Sequence, residues 1–437
     1  MRRWLLVRPV VEVAKVDVAL RAPVTRKGIV LIGTSSYFLI STLFDLILFY
    51  IFYTLLGSIA VLGLLAVLFR VGALIAYITI PPLLDVLGVK RSYVVLLVFD
   101  SALYLAFMAV AWLWGLGLHV LPLLFVLSVS GALIVLVFES LLPEMFSERD
   151  LIKANAVSRV FRFALAPLVV VVGGFIADLL GHLEVLVVTC LLLSLNSLMV
   201  ALATLGVEIA HPRGIGGSHA LNIDILLGGF KFIVESKPVL KLMIYSGTAG
   251  ITVGLIVNLY PVAIARATLG DEAFYFTLII AIISVAYGAG VSATVVAYRF
   301  LRMRYTGFLA VMLVTLSILT LALSLLITLR YPLLVLVDIA LISFTSGVYD
   351  NILVYLYQTN VPLEVRARVF GVRYLLMILT SIAGFSVGGW MADAMSLNTS
   401  IAILSILPLT AGILSLLDGD LRSLDIRAGQ TPPFKVE

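Results

Sequence analysis

Ser92-Tyr93-Val94-Val95-Leu96-Leu97-Val98-Phe99-Asp100-Ser101-Ala102-Leu103-Tyr104-Leu105-Ala106-Phe107-Met108-Ala109-Val110-Ala111-Trp112-Leu113-Trp114 is a run of 23 residues with a single charge. Wound as an α-helix at 1.5 Å per residue it is about 34 Å long, enough to cross the roughly 30 Å of hydrocarbon in a bilayer. Lipid offers the backbone no hydrogen bonds, so such a segment must satisfy its own and is predicted to be helical. Its ends differ in kind. Lys90 and Arg91 precede it, whereas Trp112 and Trp114 close it, as expected for a basic cytoplasmic flank and an aromatic interfacial belt.

Stretches of the same kind recur along the chain, at about 29–55, 58–84, 92–114, 118–142, 158–180, 184–206, 238–265, 272–297, 304–328, 332–357, 368–394 and 397–417. Of the 437 residues 62% are hydrophobic and 12% charged, about half the charge that a water-covered surface requires. The ten-residue alternation of a membrane β-barrel does not occur. The sequence therefore predicts an all-α membrane protein with twelve transmembrane helices.

Charge placement fixes the expected orientation. Counted over the termini, loops and adjoining helix ends, 26 of the 29 Lys and Arg residues fall on one side; Arg266 and Arg330 fall on the other, and Arg70 lies inside the second span. By the positive-inside rule both termini are expected in the cytoplasm of a multi-pass plasma-membrane protein. The net charge of +5 is thus topogenic, and nucleic acid is not an expected partner. Arg8 and Pro9 interrupt the apolar start at once, so the opening reads as a cytoplasmic lead-in.

The most hydrophilic stretch contains His211-Pro212-Arg213-Gly214-Ile215-Gly216-Gly217-Ser218, a linker composition. Five parts follow: a cytoplasmic segment 1–28, a six-helix bundle 29–206, a central linker 207–237, a second six-helix bundle 238–417 and a cytoplasmic tail 418–437. Gly173-Gly174-Phe175-Ile176-Ala177-Asp178 in span 5 and Gly388-Gly389-Trp390-Met391-Ala392-Asp393 in span 11 agree at four of six positions, at an offset of 215. They suggest related halves with a substrate site near the midplane between them. Gly173, Gly174, Gly388 and Gly389 are expected to let helices approach closely. Asp178 and Asp393 read as solvated helix ends.

Several motifs resemble the major facilitator superfamily, in particular its macrolide-efflux and enterobactin-exporter-like branch. Pro81-Pro82-Leu83-Leu84-Asp85-Val86-Leu87-Gly88-Val89-Lys90-Arg91 is similar to the superfamily pattern G-x-x-x-D-R-x-G-R-R, with Pro81 and Val86 departing from it. Leu142-Pro143-Glu144, Leu151 and Ala154-Asn155-Ala156 resemble the branch signature LPE…L…ANA. Gly229-Phe230-Lys231-Phe232-Ile233, and Gln358-Thr359-Asn360-Val361-Pro362 with Arg366-Ala367-Arg368-Val369-Phe370, resemble further parts of that branch. The antiporter motif GPxxGG is altered, since Ala166-Pro167 stands further from Gly173-Gly174. The resemblance implies two bundles about a pseudo-twofold axis, working by alternating access. It also implies a cytoplasmic gate that includes Asp85, Gly88, Lys90 and Arg91, joined by Glu139, Asn155, Arg366 and Arg368.

Charges at membrane depth are costly and therefore candidates for function. Asp45 is the first, with Gly33, Tyr37 and Ser41 preceding it at intervals of four on one helical face. Arg70 is at similar depth on the next helix and can pair with it. Desolvation favours a protonated carboxyl and a nearby guanidinium an ionised one, so such a group suits proton exchange. Asp338 and Asp350 in span 10 complete the proposed proton-coupling set. Thr345, Tyr349, Tyr245, Thr248, Asn258 and Tyr287 join Tyr37 and Ser41 as expected cavity residues. Asp100 and Glu139 read as structural or gating, with Arg159 or Arg162 as partners for Glu139.

No metal or cofactor is expected. The four histidines (His119, His182, His211, His219) lack ligand spacing, Cys190 is the single cysteine, and no G-x-x-x-x-G-K-[ST] occurs. An enzyme would need nucleophile, base and orienting groups at one depth, and none is visible. A receptor would be expected to carry a sizeable soluble module. The expected function is secondary transport, as proton-coupled efflux of amphipathic small molecules (drug-like, macrolide or siderophore class). The alternative is uniport or import of a lipid or metabolite. The expected partners are lipid, protons and a small-molecule substrate, with the chain acting as a monomer.

Overall fold

The computed structural model describes residues 26–147, 150–151, 154–155, 157–158, 161, 165–208, 230–297 and 305–421. The segment 1–25, most of the linker and the tail beyond 421 lie outside them. The described chain is helical, in the order α1 (Arg26–Leu56), α2 (Ile59–Leu87), α3 (Val89–Trp114), α4 (Leu121–Met145), α5 (Ala166–Leu180) and α6 (His182–Leu205). The second half repeats the count. It comprises α7 (Lys237–Gly254, continued by Leu255–Leu259 and Pro261–Thr268), α8 (Ala273–Ala297), α9 (Tyr305–Leu329), α10 (Pro332–Asn360), α11 (Leu363–Ala394) and α12 (Leu397–Leu404 and Ile406–Leu417).

Eleven of these are long and apolar enough to cross a membrane; α5 is described over 15 residues. Its expected beginning, from 158, falls largely outside the described residues. The packing is inside out by the standards of water. On α3, Val95, Val98, Phe99, Leu105 and Trp112 are exposed, while Asp100 and Ser101 are buried. Lipid is as apolar as Leu, so the polar side chains are what the bundle must hide.

Local chemistry sets the helix ends and breaks. Gly88, at φ +74°, ends α2 and begins α3 in a turn that a Cβ would strain. The break in α7 comes just before Pro261, which has no N–H and would crowd the carbonyl four residues back. The helix widens there into a π-turn, with Tyr260 N–H donating to Leu255 O at 2.9 Å. Tyr260 Oη then donates to Gly388 O at 2.9 Å and lies 2.8 Å from Ser400 Oγ, which ties the kink to α11 and α12.

Each main helix pairing has a counterpart six helices on. The pair α3–α6 matches α9–α12, α1–α6 matches α7–α12, and α2–α4 matches α8–α10. Between the halves, α5 packs on α8 and α2 on α11, which are again equivalent. The two ends of the molecule are called here the basic end, which carries most of the Lys and Arg, and the far end.

Candidate functional site

Asp45 is eleven residues before the far end of α1, and Arg70 eleven after the far end of α2. Both are therefore about 16 Å deep. Asp45 is exposed and Arg70 half-buried. The expected ion pair is not formed. Among the described residues Asp45 has no hydrogen bond or salt bridge, and the Arg70 guanidinium stands 5.9 Å from the ring centre of Phe385 on α11. The helices meet instead through Phe49 and Phe69, whose ring centres are 5.8 Å apart. Ser41 donates to Phe38 O at 3.1 Å, one turn before Asp45.

In the second half Asp350 is fully engaged. Arg373 Nη2 donates to Oδ1 at 3.0 Å and Tyr287 Oη to Oδ2 at 2.9 Å. The Arg373 guanidinium also lies 5.4 Å from the ring centre of Tyr357. Helices α8, α10 and α11 meet in this group. Tyr287 and Asp350 were both expected at the site, and the structure joins them. Arg373 was not expected there. It belongs to a basic run at the start of α11 that reads as topogenic, and only its position five residues beyond Arg368 marks it as deeper. Asp338 is buried with Oδ2 unpartnered, as is the Tyr349 hydroxyl. Thr345 is buried beside them on α10.

Other expected cavity residues are placed elsewhere. Tyr245 donates to Asp418 Oδ2 at 3.2 Å at the basic end, where Lys241 Nζ bonds Asp418 Oδ1 at 2.9 Å and Asp420 Oδ2 at 2.8 Å. Burial pushes the Asp418 carboxyl up, but the Lys241 ammonium and the Asp420 N–H outweigh it and hold the group below the usual carboxylate range. Tyr37 is buried with its hydroxyl unpartnered and turned toward Asp100. Thr248 bonds back to Tyr245 O at 2.8 Å, and Asn258 donates to Gly254 O at 3.0 Å within the π-turn.

The far end holds what sequence reading missed. Asp178 and Asp393 are not merely solvated. Asp178, at the end of α5, accepts from Ala273 N at 2.9 Å and Phe274 N at 2.8 Å, the first amides of α8. Asp393, at the end of α11, accepts from Ile59 N at 2.9 Å, Ala60 N at 3.0 Å and Ser58 Oγ at 2.6 Å, the start of α2. Each carboxylate thus caps a helix N-terminus of the opposite half, where free amides and the helix dipole favour an anion. The paired glycines admit the approach. A Cβ on Gly174 would meet the Thr277 side chain of α8, and one on Gly389 the backbone of Ile59 and Ala60. Gly173 and Gly388 lie in the same equivalent way against Leu43 and Leu255. Tyr50 Oη donates to Asp271 O, and Arg266 pairs with Asp271 at 2.7 Å, adding to the seal. Identity at four of six positions was the signal for this pair; its partners, distant in sequence, were not readable.

At the basic end, several topogenic cations also finish helices. Lys27 Nζ donates to Met145 O at 2.6 Å, and Lys90 Nζ to Leu205 O at 2.9 Å and Val207 O at 2.7 Å. Cations suit the free carbonyls of a helix C-terminus. Arg91, Glu139, Asn155 and Arg368 are exposed. The side chains of Asp85 and Arg366 lie outside the described residues, as do Arg159 and Arg162, the expected partners of Glu139.

Two equivalent helix bundles, apolar outside and bearing charged groups within, define a polytopic membrane transporter. The family profile of the Major Facilitator Superfamily matches residues 30–384, and the chain belongs to that superfamily. It is a membrane-embedded transporter of small molecules rather than an enzyme. No curated protein matches the sequence significantly. Among solved structures it is similar to the nucleoside transporter NupG, with 15% identity, TM-score 0.65, and coverage of 93% of this chain and 100% of that one. A D-xylose-proton symporter gives 12% identity, TM-score 0.67, and coverage of 91% and 96%. A bacterial homologue of the human lysosomal transporter Spinster, inward-facing and unoccupied, gives 13%, 0.66, 94% and 100%. At such identities the likeness is one of fold.

Proposed function

We propose that this transporter exports amphipathic small molecules, of the drug-like, macrolide or siderophore class, in exchange for protons. The observation that carries the proposal is the pair of unbonded opposite charges at one depth, Asp45 on α1 and Arg70 on α2. An ionised carboxylate in an apolar bundle is costly, so Asp45 gains from binding either a cationic or polar substrate group or a proton. Both compete for the same oxygens. Opening to the proton-rich side protonates Asp45 and releases substrate; opening to the other side frees the proton and readmits substrate. Arg70 supplies positive potential that eases proton loss, and Asp350 with Arg373 and Tyr287 anchors the opposing wall.

The basic end is taken as cytoplasmic. The far-end carboxylates Asp178 and Asp393 then serve as the outer gate, and the loops around Asp85, Lys90, Arg91 and Arg368 as the inner gate. The branch motifs Leu142-Pro143-Glu144 and Ala154-Asn155-Ala156 support export. The competing reading is uniport or uptake of a lipid or metabolite.

Transport in proteoliposomes distinguishes them. With a pH gradient of either sign, macrolides, lipophilic cations and catecholate siderophores should move against the proton flow. Movement of substrate with the protons, or movement indifferent to them, would refute exchange.

A further inference from the structure

His182 begins α6 at the far end, beside the gate carboxylate Asp178. Its Nε2 is 3.3 Å from Asp178 Oδ1, and its ring is stacked on Tyr50 of α1, with centres 4.7 Å apart and planes inclined by 29°. Tyr50 in turn crosses to the second half. Its ring is stacked on Phe276 of α8, with centres 6.3 Å apart, and its hydroxyl donates to Asp271 O in the turn before α8. The imidazole side chain is 35% exposed, so water reaches it with the gate shut. The Asp393 cap lacks this pair: at the repeat offset of 215, His182 and Tyr50 correspond to Leu397 and Ala265.

The charges that face His182 come from both halves. Its own half supplies Asp178 and Glu184, whose carboxylate folds back over Gly181. The second half brings Asp271, the adjoining Glu272 and Arg266 around the Tyr50 hydroxyl, with Arg266 Nε 2.7 Å from Asp271 Oδ1. It also brings the first amides of α8, on Asp178.

We propose that His182 is a proton-binding residue of this gate and that its protonation holds the far end shut. An imidazole gains its charge between about pH 5 and 8. With the ring neutral, the Asp178 and Asp393 caps are alike. The imidazolium adds a charge-assisted hydrogen bond to Asp178 and a cation–π contact with Tyr50. Both partners belong to the first half and stay with His182 when the gate opens. Opening removes two carboxylates and one guanidinium, which leave a full negative charge, against roughly half a positive charge at the start of α8. His182 therefore loses net negative surroundings on opening, so the shut gate favours the bound proton. By linkage the proton favours the shut gate, an effect present in acid and lost as pH rises through the imidazole range. Its place in the cycle rests on the export reading: acid outside would close the outer gate and return the carrier inward. The latch itself depends on the geometry alone.

The test follows the far end directly. Trp114 on α3 and Leu333 on α10 are exposed there and are replaced by spin-labelled cysteines in full-length protein carrying Cys190→Ala and Asp45→Asn. The Asp45 substitution removes the proposed transport carboxylate, so a failure of the exchange reading leaves this result untouched. Between pH 8 and 5.5 the ratio of short to long distances should rise about threefold. His182→Gln, which keeps an N–H for Asp178 but cannot titrate, should abolish the rise. Glu272→Gln should shrink it, whereas Glu184→Gln, on the half that moves with His182, should leave it unchanged. Distances that ignore pH, that lengthen in acid, or that respond equally in His182→Gln would overturn the proposal.

Discussion

The two halves of this transporter agree at the far end and differ at mid-depth. At the far end Asp178 caps α8 and Asp393 caps α2, each from a glycine-paired helix, through hydrogen bonds of 2.6–3.0 Å. At mid-depth the first half holds Asp100, eleven residues from the basic end of α3, and the second holds Asp350, ten residues from the basic end of α10. Asp350 accepts from a guanidinium and a phenol, whereas neither carboxylate oxygen of Asp100 has a hydrogen-bond partner. The duplicated frame has kept the contacts that close the far end, whereas its interior charges have diverged. A gate needs both halves to act alike. A coupling site needs chemistry in only one place, which leaves the other half free to hold a charge by different means.

Removing the feature that distinguishes the halves should have the largest effect. Arg373→Ala leaves Asp350 with Tyr287 alone. A buried pair broken from one side costs about 3–5 kcal/mol, and because the Asp350 side chain is 40% exposed a loss of about 2–3 kcal/mol is expected. Thermal unfolding should show it, and Asp350→Asn should restore part of the loss in the double variant. Equal, additive losses would mean that the pair does not couple.

The glycines come next. Gly389→Ala brings a Cβ to 2.9 Å from Ile59 O and 3.0 Å from Ala60 Cα of α2, whereas Gly174→Ala brings one to 2.1–2.9 Å from Oγ1, Cγ2 and Cβ of the buried Thr277, whose Cβ no rotation can move aside. Overpacking of about 1–2 kcal/mol is expected for the first and more, up to about 3 kcal/mol, for the second. Equal effects would show that both interfaces yield alike.

The smallest effect tests where the halves agree. Asp178→Asn and Asp393→Asn each weaken a charge–dipole cap by about 0.5–1 kcal/mol. Spin-label distances across the far end should lengthen similarly in both variants and further in the double variant. Opening by only one of them would end the equivalence.

Much of the fold was legible because lipid imposes simple rules. Span length follows from bilayer thickness, and the alternation of Lys and Arg checks the count. The twelve spans were read in this way, and the equivalence of Gly173-Gly174 with Gly388-Gly389 from the six-residue repeat. The proposed site was read as helical faces, without partners. Helical periodicity put Tyr37, Ser41 and Asp45 on one face but could not say that Tyr37 turns to Asp100. Tyr245 looked like a cavity aromatic because its partner, Asp418, is 173 residues away. Arg373 resembled any other cytoplasmic cation until helix depth separated it from Arg368. Asp178 and Asp393 were visible as a repeat, yet their role depends on helix N-termini that only the assembled bundle brings to them.

Competition between proton and substrate at Asp45 is the central claim, and proton release tests it most directly. Purified protein in weakly buffered detergent solution is mixed with a transported substrate while pH is followed with an indicator dye. Release of up to one proton per protein is predicted, abolished in Asp45→Asn while that variant keeps its fold. Substrate binding without release, or the same release from Asp45→Asn, would contradict it.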